Sequence, residues 1–247
     1  MIKKIWTERF RIRTSEMNAH GKLKIQALLN FFQESAIKHA NHMGLGYNDV
    51  IKNNFAWVLS NLYIQIDITT KNPENLKVKT WPCGVNRFFA LRDFDILADE
   101  RRKIAAGTSR WLAIDIRKRR LVREHDYLDI VHEFSIENKN RHEFVKFPGP
   151  VRWNSENTFK VRYSDMDINQ HVNNINYVEW IIETIPHDIL LEKNISSLEI
   201  SFLSEALYGN TILSRSTEME SDKKSFLHSI INDTNGKELV RAKTVWS

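Results

Sequence analysis

Cysteine is almost absent from this chain: among its 247 residues Cys83 is the only one. A single thiol excludes an intrachain disulfide and any metal site built on several cysteines. A lone cysteine is more often a small apolar packing residue than a nucleophile, and Cys83 is read that way. Glycine and proline are also scarce, eight and five, while 42% of residues are hydrophobic. That balance excludes extended disorder over most of the chain. No apolar run approaches the roughly 20 residues that cross a bilayer, so no membrane span is expected. The opening stretch, Met1 to Glu8, has two lysines but neither an apolar core nor a small-residue cleavage site. An Arg- and Ser-rich transit segment is missing too, so the expectation is a cytoplasmic protein working where it is made.

Charge is what the chain has in excess. A formal net charge of +5 suggests an anionic partner, either nucleic acid or an acidic protein. The densest basic run is Arg117-Lys118-Arg119-Arg120, and neither a recognition-helix nor a zinc-finger pattern surrounds it, so nucleic acid is not expected. Plain solvated surface is the alternative for such a run.

Length permits one large domain or two of about 120 residues. An internal repeat favours two. Phe10-Arg11-Ile12-Arg13-Thr14-Ser15-Glu16-Met17 aligns without a gap, at a separation of 149, with Phe159-Lys160-Val161-Arg162-Tyr163-Ser164-Asp165-Met166. Four of these eight pairs are identical, and three more are Arg/Lys, Ile/Val and Glu/Asp exchanges. Each segment leads through a polar loop into an apolar stretch with helical spacing. The first predicted helix runs from about Leu23 to Met43, with Leu28, Phe31, Phe32, Ile37 and Ala40 facing the core. The second runs from about Val172 to Ile185, with Tyr177, Val178, Trp180, Ile181 and Ile185 inward, and Pro186 marking its end.

Strand patterns follow each helix. Leu62, Ile64 and Ile66 alternate with Asn61, Tyr63 and Gln65, as Leu198, Ile200 and Phe202 do with Glu199 and Ser201. Turn signals Asn72-Pro73-Glu74-Asn75 and Tyr208-Gly209-Asn210 answer each other. Late in the halves, residues 104–111 resemble residues 239–246, both ending in Trp. A helix with so broad an apolar face needs a sheet that wraps it. The expected fold is therefore α+β, a tandem double hot-dog, each half an antiparallel sheet wrapped around a long central helix. An N-terminal domain is expected over residues 1–140, a linker over 141–155 within the polar region that opens at Glu137, and a C-terminal domain over 156–247.

The densest polar cluster is Asp165-Met166-Asp167-Ile168-Asn169-Gln170-His171-Val172-Asn173-Asn174, just before the second helix. Helix-start N–H groups polarise a carbonyl and stabilise an oxyanion, and an imidazole with a carboxylate there can manage an attacking water. Simple helix capping is the plainer explanation, but it accounts for only one or two of these residues. At the positions of Asp167, Asn169 and His171 the first copy has Asn18, His20 and Lys22, so the acid–amide–imidazole set occurs once. His20 is read as a solvated loop residue. Glu205, just past the strand ending near Leu203, has no functional weight by itself.

The segment Asp167-x-Asn169-Gln170-His171-Val172-Asn173-Asn174-x-x-Tyr177, followed by Trp180-Ile181 and Glu183, resembles the active-site segment of plant and bacterial acyl-acyl-carrier-protein thioesterases. Ile12-Arg13 through Glu34-Ser35, Trp57-Val58 and Arg92-Asp93 are also similar to that family, from about Phe10 to Trp246 in all. The resemblance implies hydrolysis of fatty acyl thioesters on acyl carrier protein, with no cofactor and no metal. It implies four catalytic residues: Asp167, Asn169 and His171, joined by Glu205. It also implies an acyl-chain pocket in the N-terminal half, and a partner bearing its acyl chain on phosphopantetheine. Monomer and homodimer both stay open. Plant members place a cysteine directly after the glutamate; here that position is Ala206, which favours water as the attacking group.

Three other functions suit a hot-dog fold. Hot-dog hydratases space Asp and His five apart with Pro after Asn, whereas Asp167 and His171 are four apart and Gln170 follows Asn169. A hot-dog acyl-CoA thioesterase shares the chemistry and stays open. A non-catalytic acyl-thioester regulator normally carries a helix-turn-helix, and no stretch outside the repeats is long enough for one.

Overall fold

The structure, a computed structural model, describes residues 3–67, 73–98, 100–122, 126–137, 140, 142–149 and 152–247. The chain divides into two compact units, Met1–Glu143 and Phe144–Ser247.

Unit 1 contains β1 (Trp6–Arg11), α1 (Ile25–His42), α2 (Tyr47–Lys52), β2 (Phe55–Ile66), β3 (Asn75–Asn86), β4 (Phe89–Ala98), β5 (Arg102–Asp115), β6 (Arg120–Leu121) and α3 (Asp126–Phe134). Its strands pair antiparallel in the order β1-β3-β4-β5-β2, with β6 added on β5. Unit 2 contains β7 (Ser155–Lys160), α4 (Asn174–Ile182), α5 (His187–Glu192), β8 (Ile195–Phe202), β9 (Thr211–Met219), β10 (Asp222–Asn232) and β11 (Glu238–Trp246). Its order, β7-β9-β10-β11-β8, repeats that of unit 1 strand for strand. Each unit is a hot-dog: one helix lies on the concave face of an antiparallel sheet.

Packing repeats with the topology. Phe10 on β1 stacks on Phe31 of α1 with centroids 4.5 Å apart, and Phe159 on β7 stacks on Trp180 of α4 at 6.1 Å. These are the same two positions offset by 149 residues. Truncating such a buried ring to alanine costs about 3–5 kcal/mol. In unit 1 the Phe32 ring of α1 reaches the sheet at Gly107 on β5. A Cβ there would lie 2.5 Å from the Phe32 ring and 2.6 Å from the Tyr63 carbonyl, so only glycine fits.

Two expectations about the helices need correction. Ile37 is 45% exposed, and polar Ser35 and His39, both 0% exposed, take the inward positions of that part of α1. The inward steps run Phe32, Ala36, His39, and Ile37 stands about 100° round the helix from Ala36. Pro186 does not end α4, which stops at Ile182; it is the N-cap residue of α5.

The alternation read for β8 also fails at one place. Glu199 is 8% exposed, because residues from Phe144 onward cover that face of unit 2 and Val145 N–H donates to Glu199 Oε1 at 3.3 Å. In the same segment Phe147 is buried, and the Pro148 carbonyl accepts from Arg241 Nη1 at 3.2 Å. Trp153 packs beneath the guanidinium of Arg215, 4.9 Å from its centroid. Of the expected connecting stretch and the first turn, residues 138, 139, 141, 150, 151 and Asn72 lie outside the described residues. Glu137, Asn140 and His142 bind unit 1: the Glu137 carbonyl accepts from the Trp81 indole, Asn140 bonds the Phe94 and Gly107 carbonyls, and His142 stacks on Tyr63.

Candidate active site

The loop entering α4 is a copy, bond for bond, of the loop entering α1. Asp167 N–H donates to the His171 carbonyl at 2.8 Å, and Asn18 N–H to the Lys22 carbonyl at 2.7 Å. Asp167 Oδ1 accepts from the N–H groups of Asn169 (2.8 Å) and His171 (3.3 Å). Asn18 Oδ1 accepts from those of His20 (3.0 Å) and Lys22 (2.9 Å) in the same manner. Ahead of the loop, Arg162 N–H donates to Asp165 Oδ2 and Arg13 N–H to Glu16 Oε2, each at 2.7 Å. The backbone of the site is thus a fold element present twice, and the chemistry resides in side chains present once.

Helix capping falls to other residues than the cluster's acid and imidazole. Asn173 is the N-cap of α4, its Oδ1 accepting from Ile175 N–H at 3.1 Å. Asp167, Asn169 and His171 stand in the preceding turn. Asn169 Nδ2 lies 3.4 Å from Asp167 Oδ2, so the acid orients the carboxamide as well as closing the turn. His171 Nε2 lies 3.3 Å from Glu205 Oε2, and both side chains are about half exposed, at 47% and 55%. All four residues named by the resemblance therefore fall within one chain of contacts in unit 2, open to solvent.

Two features of this site are not legible in the sequence. Tyr177, an inward residue of the helix and part of the resembling segment, reaches with its hydroxyl to the segment carrying Glu205, accepting from Ala206 N–H at 2.8 Å. Burial, reinforced by the charges of Glu205 and Asp167, pushes its phenol up to about 12. The corresponding residue in the first copy is Leu28, so comparing the copies, rather than the helical period, carried the signal. Gln170 is held at φ 62°, whereas the matching position in the first loop is Gly21 at φ 66°. Only the second copy accepts the cost of a side chain in the left-handed region. Ala206, which stands directly after Glu205, is 0% exposed, with its N–H committed to Tyr177.

Cys83 is remote from this constellation in sequence and lies in unit 1, on β3. Burial, and then the neighbouring Asp93 carboxylate, raise its thiol well above the ordinary range, the opposite of an activated nucleophile. His20 is exposed in the unit 1 loop. Among the described residues no helix is long and apolar enough to cross a membrane.

A duplicated hot-dog in which one half alone carries an acid, an amide and an imidazole facing a second carboxylate defines the class: a double hot-dog protein with a single equipped site. Comparison with known proteins sets it within that class. Residues 3–133 match the acyl-ACP thioesterase N-terminal domain and residues 150–247 the acyl-ACP thioesterase C-terminal domain. The chain belongs to the acyl-ACP thioesterase family.

Its relatives include a chloroplastic palmitoyl-acyl carrier protein thioesterase of Gossypium hirsutum, 25% identical over 98% of this chain and 63% of that one. A chloroplastic dodecanoyl-[acyl-carrier-protein] hydrolase of Cinnamomum camphora is 26% identical over 98% of this chain and 67% of that protein. The chain thus spans about two thirds of the length of these relatives. Among solved structures, an acyl-ACP thioesterase from Bacteroides thetaiotaomicron superposes with a TM-score of 0.81 at 26% identity, covering 99% of this chain and 98% of the other. The 12:0-ACP thioesterase from Umbellularia californica has the same fold, with a TM-score of 0.87 at 22% identity over 100% of this chain and 95% of that one.

Proposed function

We propose that this chain hydrolyses the thioester linking a fatty acyl group to acyl carrier protein, releasing the free fatty acid and ending chain elongation. Membership of the acyl-ACP thioesterase family supports the reaction. The observation that carries the site is the His171 Nε2 to Glu205 Oε2 contact of 3.3 Å beside the Asp167–Asn169 turn.

In this reading Glu205 and His171 hold a water and take its proton as its oxygen attacks the thioester carbonyl carbon. The Asn169 carboxamide donates to the oxyanion as it forms, and Asp167 keeps that carboxamide and the His171 backbone in place. Collapse of the tetrahedral species breaks the C–S bond, and the proton held at His171 and Glu205 passes to the departing thiolate. Water adds across the bond, so no external oxidant or cofactor enters. Tyr177 acts as a positioning residue by fixing the segment that presents Glu205.

The interior of unit 1 is assigned the acyl chain. The phosphopantetheine-bearing carrier is assigned the role of protein partner, and the cytoplasm the place of action. The test is release of free thiol from acyl carrier protein charged with a saturated acyl group, on mixing with purified protein. Turnover is the expected result. No release over a panel of chain lengths would leave a binding protein and overturn the proposal.

A further inference from the structure

The two segments that hold the candidate site expose apolar bulk that the fold does not require. Tyr163 (85% exposed) and Ile168 (79%) stand in the segment leading into α4. Leu203 (55%), Leu207 (50%) and Tyr208 (66%) stand in the segment after β8. Among the described residues of unit 2, the other exposed large apolar side chains are Val145 and Leu191. The bulk is thus gathered at the site rather than scattered over the unit. Single exposed apolar side chains need no explanation, whereas a cluster of them marks a surface that another molecule covers.

Each segment presents this bulk next to the groups of the site. Ile168 directly precedes Asn169, and Leu203 and Leu207 lie two positions either side of Glu205. Backbone bonds join the segments beyond the His171–Glu205 contact. Gly209 N–H donates to the Val161 carbonyl at 3.1 Å and Val161 N–H to the Asn210 carbonyl at 2.9 Å, which sets the Tyr208 turn beside the residues leading into Tyr163. The turn itself is closed by Leu207 N–H donating to Asn210 Oδ1 at 2.9 Å.

The two copies separate this bulk from the needs of the fold. At the offset of 149 the first loop has Thr14 and Ala19 where the second has Tyr163 and Ile168. The backbone bonds are nonetheless the same: the Thr14 carbonyl accepts from Met17 N–H at 3.1 Å and the Tyr163 carbonyl from Met166 N–H at 3.2 Å. The large side chains are not needed to build the turn. They accompany the acid–amide–imidazole set.

We infer that Tyr163, Ile168, Leu203, Leu207 and Tyr208 form the docking surface for an apolar face of the acidic carrier protein, which seats over His171 and Glu205 as it delivers its thioester. The identity of this partner rests on the proposed function, and two observations favour it over a second copy of the chain. An occupant of these segments covers the half-exposed His171 and Glu205, so only a partner that brings the substrate leaves the site in use. A second copy also brings the same net charge of +5 and is repelled, whereas an acidic partner is attracted. Tyrosine with aliphatic neighbours suits a protein face, because aromatic anchors carry much of the energy of such contacts.

Calorimetric titration of the full chain with holo-acyl carrier protein, which bears phosphopantetheine and no acyl group, tests the surface without hydrolysis. The parent should bind it. Combining Tyr163→Thr and Ile168→Ala, which copy the first loop, with Tyr208→Ser should weaken binding at least about tenfold. Leu191→Ser, on α5 and outside these segments, should bind as the parent does. Tyr163→Thr alone, at the most exposed of the five, should weaken binding a few-fold and serves if the triple variant fails to fold. On a carrier-borne acyl group the triple variant should lose at least about tenfold in kcat/KM, mainly through KM. On the same acyl group carried by free pantetheine it should lose less than about twofold, a contrast that a misshapen loop would not produce.

Absence of holo-carrier binding by the parent, or equal binding by the parent and the folded variants, would overturn the inference. So would equal losses on carrier-borne and pantetheine substrates, or a parental dimer that the triple variant dissolves while still binding the carrier. Carrier binding lost in the triple variant, with no thioester cleaved by the parent, would sink the proposed function alone. Carrier-borne thioester cleaved equally well by parent and triple variant would sink the inference alone.

Discussion

His171 and Lys22 stand at matching positions of two superimposable loops, and among the described residues only the histidine faces a carboxylate, Glu205. Removing the imidazole with His171→Ala should lower turnover by about 10²-fold or more, the usual scale for a lost acid–base group. His20→Ala, in the unequipped copy, should leave turnover near the parental value. Equal losses in steady-state rate would contradict a single site. Cys83→Ser should likewise hydrolyse at close to the parental rate, because its thiol is held protonated by burial and by Asp93. A well-folded Cys83→Ser protein without activity, together with an acyl group trapped on the parent, would contradict attack by water.

Two other histidines govern acid stability. Burial lowers His39 to about 4 and His228 to about 3. The unfolded chain takes up protons below about pH 6.5 that the folded chain refuses, so stability falls as pH drops from there toward those lower values. Between pH 6.5 and 5 the loss is about 2 kcal/mol for each histidine. Asp115 and Asp222, whose lowered values come first from hydrogen bonds to Lys118 N–H and to Ser225, lose their contribution only further into acid. Urea unfolding at pH 7 and pH 5 should show the decline, and His39→Gln should flatten it. A midpoint independent of pH over that range would contradict neutral burial of these rings.

At the scale of elements, the sequence shows most clearly what both copies must have. The β1 and β7 segments, the turn after each, and the inward aromatic at Phe31 and Trp180 recur at a constant offset because both units solve the same packing problem. Strand β11 and its counterpart β5 were legible for the same reason. What escaped was local to one copy or dependent on a neighbour. Ile37 follows the helical period yet faces out, because the inward position beside it goes to His39, which accepts from Arg92, a residue more than fifty positions away. Glu199 alternates as an outward residue yet is covered by the segment around Val145. Pro186 reads as a stop and in fact starts α5, since proline suits both places. Helix α3, packed through Tyr127, Val131 and Phe134 against Phe55 and Met43, drew no expectation because it has no partner in the repeat.

The site loop carries its own test of this reading. Gln170→Gly relieves a left-handed side-chain conformation that Gly21 avoids in the first loop, and should raise stability or leave it unchanged, within about 1 kcal/mol. Any loss of turnover with stability retained would show that the Gln170 side chain serves the reaction. A clear fall in thermal midpoint would contradict the strain argument.

Over the whole molecule the balance of charge is positive, +5. In the basic run, Arg117, Lys118 and Arg119 lie in the exposed turn between β5 and β6 and Arg120 opens β6; the turn is held by Asp115 Oδ1, which accepts from Arg117 and Lys118 N–H at 2.9 and 2.7 Å. Opposite fields speed encounter, and salt screens them over about 8 Å at physiological strength. Coenzyme A is also anionic, so attraction alone does not separate it from an acidic carrier protein; the larger charged surface of the protein does. The deciding measurement is kcat/KM for one acyl group presented on acyl carrier protein and on coenzyme A, each at low and at moderate salt. The carrier-protein substrate should be preferred, and its advantage should shrink as salt rises, most of all when the 117–120 run is intact. Equal values on both carriers, indifferent to salt, would contradict the account and make this chain a general acyl-CoA thioesterase.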